Sequence, residues 1–217
     1  MKNRGFTLME LLVVISIITL LISMILPSYR AAKLDAERAE CLSNMGQMGR
    51  AIHAYEVNHK GFLPGPSWYG QTARYTTNTK NIAAHTAPYM GYPQPSSTSA
   101  INQMFICPSF YRVKPAGYAI ENCVIYGAMS EKNAQGLRVF GYPAFNGALE
   151  YSPDLLINVK NPSTAKAIRD IDVQLNGAAG WGAQTARSPA HGFSQSEATR
   201  NYVFFDTHAE SIREVVP

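Results

Sequence analysis

The chain has 217 residues, of which 16% are charged and 11% aromatic, and a formal net charge of +4. So mild a charge, with no run of five or more Lys or Arg, leaves no electrostatic footprint for nucleic acid. The three cysteines, Cys41, Cys107 and Cys123, form no C-x-x-C pair and match no Cys/His spacing of a zinc site, so a metal held by cysteine is not expected.

From Leu8 to Leu26 the sequence runs for nineteen residues with one charge, Glu10. At about 1.5 Å of rise per residue, a helix of that length nearly crosses a hydrocarbon core of about 30 Å. Lys2 and Arg4 precede it and no acid does, so the positive-inside rule keeps the N-terminus in the cytoplasm and exports everything after Pro27. Glu10 is the anomaly. A carboxylate inside an apolar span costs roughly 2.5–3.5 kcal/mol near the helix centre and less near an end, which marks it as functional and calls for a partner. A cut between Gly5 and Phe6 would create an α-amine four residues before Glu10, in the same chain or in a neighbour. An ordinary signal peptide explains the run less well, because its apolar region is 7–15 residues and ends at a small-x-small site. A plain single-pass anchor explains the length but not the residues at its start.

Gly5-Phe6-Thr7-Leu8-Met9-Glu10 resembles the prepilin peptidase site of type IV pilins and type II secretion pseudopilins. The resemblance implies removal of the leader after Gly5, N-methylation of Phe6, and a role for Glu10 in subunit docking. Pro27, the twenty-second residue counted from Phe6, matches the helix-kinking proline of type IV pilins. Without the leader, seventeen basic residues stand against fifteen acidic ones. A weakly charged chain with twelve tyrosines fits an extracytoplasmic domain that packs against copies of itself.

Beyond Pro27 the helical pattern continues. Leu34, Cys41, Met45, Met48, Ile52 and Tyr55 recur at three, four and seven residues and make one apolar stripe. Asn58-His59-Lys60-Gly61 is a stop signal. A helix from about Phe6 to about Asn58 would be roughly 80 Å long. Phe62 to Pro66 is a turn, Thr86 to Met90 a short helix, and Tyr92 to Ser99 a loop. Strands are expected at Met104–Ser109, Tyr118–Ile120, Cys123–Tyr126, Leu137–Tyr142 and Ala165–Asp170. Leu156–Ser163 ends in a turn, and residues 177–188 form a long loop. Tyr202–Phe205 is a buried strand, returning through Asp206-Thr207 to a strand at Ala209–Val215.

Cys41-Leu42-Ser43-Asn44, Gly61-Phe62-Leu63-Pro64 and Cys107-Pro108-Ser109 are similar to a large prepilin-like group abundant in planctomycete and verrucomicrobial lineages. That group ends in an element of histidine, nine residues and Asp-Gly. Here His191 lies fifteen residues before Asp206, and Thr207 stands where glycine is usual, so the turn differs or the loop is longer. The group shares Cys41 and Cys107, which implies a bridge between them. Cys107–Cys123 is the rival pairing, and three free thiols are the third arrangement. Asp206, His208 and Glu210 alternate and would share one face of a strand, a solvated hairpin in this reading. Some pseudopilins hold structural calcium, but no Asp/Asn-rich loop here offers six to eight oxygens, so no cofactor is expected. No G-x-S-x-G elbow and no glycine-rich phosphate loop occurs, so catalysis is not expected.

The expected fold is α+β and pilin-like, a long N-terminal helix packed on a C-terminal antiparallel sheet domain. Its parts are a leader at 1–5, a transmembrane segment at 6–27, an amphipathic spine at 28–60 and a globular domain at 61–217. The expected function is a filament subunit of a type II secretion pseudopilus or a type IV pilus. Its partners are prepilin peptidase, other copies or other pilins, and the inner membrane. The contrasting reading is a membrane-anchored binding module that does not assemble and uses a tyrosine-rich surface.

Overall fold

The computed structural model describes residues 7–78, 80–128, 132, 136, 138–144, 149–172, 184–186, 189–191 and 197–215. Gly5 and Phe6 lie outside them, as does most of the expected loop at 177–188. The chain divides into two compact units, Met1–Glu37 and Arg38–Pro217.

Helix α1 spans Leu8–Asn58 and so contributes to both units. Pro27 lies inside it. In the first unit the helix is exposed throughout its apolar run, from Leu8 at 86% to Leu26 at 42%. Leu34 is exposed as well, so the buried stripe begins later than the periodicity predicts.

In the second unit, Cys41, Met45, Met48 and Ile52 are buried on one face of α1. They share a core with Leu63, Phe105, Phe110, Ile125, Tyr126, Phe140, Ile168, Val203 and Phe205. That core closes on a five-stranded antiparallel sheet. Its strands are β1 (Gly70–Gln71), β4 (Tyr126–Ala128), β5 (Lys166–Asp170), β6 (Glu197–Phe204) and β7 (Ala209–Val215), in that spatial order. A separate two-stranded ribbon pairs β2 (Arg74–Tyr75) with β3 (Ala100–Ile101). The fold is α+β, with the C-terminal part of a long apolar N-terminal helix packed on an antiparallel sheet.

The β6–β7 hairpin is the longest pairing, in register from Glu197↔Val215 to Val203↔Ala209. Thr207 closes its turn with φ of +77°, the left-handed conformation that glycine would adopt without strain. Gly49 of α1 sits against this turn. A Cβ there would lie 3.1 Å from the Thr207 Cα and 2.9 Å from Val203 Cγ1, so only glycine lets the helix approach the hairpin this closely. Arg38 Nε also donates to Ser211 Oγ of β7 at 3.0 Å.

Several expected strands take other forms. Asn102 accepts from the Met104 backbone and Pro108 opens a turn, so Gln103–Phe105 and Pro108–Arg112 are 3-10 helices; Ile106 and Cys107 between them are extended. Ile120–Asn122 is also 3-10, and the following strand starts at Tyr126 rather than Cys123. Arg138 and Tyr142 make isolated bridges to Lys132 and Tyr151 instead of one strand. The short helix expected at Thr86–Met90 is a 3-10 helix over Ala87–Met90, and an unexpected helix α2 (Ile82–Thr86) precedes it, capped by the Asn81 side chain, which accepts from the Ala84 N–H at 2.9 Å. Most of the twelve tyrosines reach the surface, with Tyr29, Tyr111 and Tyr151 exposed, but three do not. Tyr75, Tyr126 and Tyr202 are fully buried, with the Tyr75 hydroxyl donating to the Pro93 carbonyl at 2.8 Å.

Candidate functional site: a capped glutamate on an apolar helix

Thr7 immediately precedes α1, and Glu10 is its third residue. The Glu10 backbone N–H donates to Thr7 Oγ1 at 3.2 Å. In return, Glu10 Oε2 accepts from the Thr7 backbone N–H at 2.8 Å and from its hydroxyl at 2.9 Å. This reciprocal pattern is a capping box, legible in the spacing Thr-x-x-Glu. It satisfies helix-terminal N–H groups and places the carboxylate where the helix dipole favours a negative charge. Among the described residues, both of these hydrogen bonds fall on Oε2 alone.

The next turns suit a lipid solvent. Ser16, Thr19 and Ser23 return their hydroxyls to helix carbonyls, to Leu12 at 2.7 Å, Ser16 at 2.9 Å and Leu20 at 2.7 Å. No small polar group in the run therefore needs water. Among the described residues this is one helix long and apolar enough to cross a membrane.

Residues 1–26 match the prokaryotic N-terminal methylation motif. The chain is also 34% identical over 58 residues to type II secretion system core protein G of Escherichia coli (strain K12). That match covers 27% of this chain and 40% of the relative, less than half of either. No solved structure matches the chain significantly.

The chain carries a second polar centre in its sheet domain. Cys41 of α1 and Cys107 are joined by a disulfide, with Cα atoms 5.2 Å apart. Cys123 is a buried free thiol. His191 does not meet Asp206. Its Nε2 lies 3.3 Å from Cys107 Sγ and 3.3 Å from Asp170 Oδ2. Asp170 shares a face of β5 with the core residue Ile168, two positions earlier, and also accepts from the Asn201 backbone N–H at 2.8 Å. Burial pushes the Asp170 carboxyl up to about 7, and burial, aided by Arg38 and Arg112, pushes the His191 imidazole down to about 4. The distance alone fits an ion pair, but desolvation dominates, so between about pH 4 and pH 7 the two share one proton and no net charge.

On the opposite face of β6, fully buried Arg200 donates to both Asp172 oxygens, at 2.8 and 3.1 Å, and to Glu214 at 3.1 Å. Glu214 also accepts from the Tyr202 hydroxyl. Nothing in the sequence marks Arg200 as buried, since arginine is usually at the surface. Asp206 and His208 contact one another on the exposed hairpin, His208 stacks on Phe204, and Glu210 lies 3.9 Å from the His208 ring. These exposed groups form no enclosed site.

Proposed function

We propose that this protein is a non-enzymatic filament subunit. Prepilin peptidase cuts between Gly5 and Phe6, Phe6 is N-methylated, and the mature chain waits in the inner membrane with its sheet domain outside the cytoplasm. Assembly then packs the apolar helices of many copies together, with Pro27 as the kink of the type IV pilin pattern. The observation that carries this reading is Glu10, a carboxylate held by a capping box at the head of an apolar run that is exposed from Leu8 to Leu26. In a helix bundle the Phe6 ammonium of one subunit meets Glu10 of the next. That pairing offsets the cost of a buried charge and sets axial register. Such contacts are heterologous and do not close, which gives a filament rather than a ring. The likeness to core protein G supports a type II secretion pseudopilus over a surface pilus. Glu10→Ala should leave membrane insertion intact and abolish recovery of the protein in sheared or crosslinked filaments. Normal incorporation of this variant would refute the docking role, and an anchored binding module would be missing from filaments in the parent chain as well.

A further inference from the structure

Cys41, Cys107 and His191 come from a helix, an extended link and a distant turn, yet their ligand atoms all lie within 4.8 Å of one another. The His191 side chain is fully buried and that of Asp170 nearly so. Next to them is a cavity of about 10 Å³, lined by Cys107, Asp170 and Asp172 among others. That is room for a single water-sized or ion-sized occupant.

The spacing of these groups is poor for hydrogen bonding. One nitrogen, His191 Nε2, faces two acceptors at 3.3 Å each. It is good for a shared ion. Metal–sulfur and metal–nitrogen bonds of about 2.3 and 2.0–2.1 Å place neighbouring S and N donors about 3.5 Å apart in a tetrahedron.

We infer that the reduced form of this domain is a zinc-type metal site, with Cys41 Sγ, Cys107 Sγ and His191 Nε2 as ligands and the fourth position left to water. An external dithiol reduces the disulfide. The Cys41–Cys107 S–S bond breaks, two electrons pass to the pair, and the dithiol leaves as its own disulfide. A divalent soft cation then binds two thiolates and the imidazole, with a water as the fourth ligand. The two thiol protons leave to solvent. The disulfide and the ion are thus alternative fasteners of the same helix to the same sheet. This inference does not depend on filament assembly.

The test uses the full chain in detergent micelles, reduced anaerobically and titrated with Co²⁺, followed by Zn²⁺ competition. The expected result is one equivalent of Co²⁺ with thiolate charge-transfer and tetrahedral d–d absorption, displaced by Zn²⁺. The oxidised chain should bind none, and His191→Ala should weaken binding at least tenfold while leaving the oxidised fold's near-ultraviolet dichroism unchanged. The inference is overturned if reduced protein that retains its near-ultraviolet signal binds no Co²⁺. It is overturned equally if reduction abolishes that signal and Co²⁺ fails to restore it, or if His191→Ala binds as tightly as the parent chain.

Discussion

At the residue scale, Thr7 and Thr207 carry the clearest consequences. Thr7 is the acceptor for the Glu10 N–H and the donor to its carboxylate. Replacing a threonine cap with a residue lacking the hydroxyl costs about 1 kcal/mol. Thr7→Val should therefore raise amide exchange over the first turn of α1 about fivefold in micelles, and Thr7→Ser should restore protection. Thr207 holds φ of +77° with a branched side chain. A left-handed residue with a Cβ costs about 1–2 kcal/mol, partly offset by the greater unfolded-state freedom of glycine. Thr207→Gly should stabilise the domain by about 0.5–1 kcal/mol, read as a higher urea midpoint. The Asp-Thr sequence marks a strained hairpin because it departs from Asp-Gly, and the structure resolves the departure by strain in the threonine itself.

At the scale of elements, long periodic segments were the easiest to read. The helix to Asn58 and the strand Ala209–Val215 follow from apolar spacing and stop signals, and the structure has both. Short apolar runs rich in proline and asparagine were not. Met104–Ser109 reads as a strand by composition, but the Asn102 cap and Pro108 turn its ends into 3-10 helices. The polar centres split in the same way. The Thr7–Glu10 box is local and so is legible in four residues. Cys41, Cys107, Asp170 and His191 are brought together only by tertiary folding, and their linear spacing fits no metal motif. The buried Arg200 network is likewise a product of sheet register, since Arg200 and Glu214 meet only across the β6–β7 pairing.

For the molecule as a whole, two units with different solvents share one helix. The first exposes its apolar side chains and suits lipid or other copies of itself; the second has its own core, and a disulfide closes a separation of 66 residues. In the chain-entropy account, such a loop closure is worth about 4 kcal/mol. The stability of this second unit should depend on pH in a defined way. His191 and His85 are both pushed down to about 4, chiefly by burial, so the unfolded chain binds more protons than the folded one between about pH 4 and 6.5. Their contribution makes stability rise with pH across that window. Asp170, pushed up to about 7, acts in the opposite sense from about pH 4 to pH 7. Two groups outweigh one, so urea midpoints should climb most steeply below about pH 6.5 and level off by about pH 7. Asp170→Asn should steepen the climb. The central claim, that this chain is a processed filament subunit, is tested most directly by the intact mass and N-terminal residue of the protein purified from its native membrane. The account predicts a chain that starts at N-methylated Phe6. A chain still starting at Met1, or one starting beyond Pro27, would contradict it.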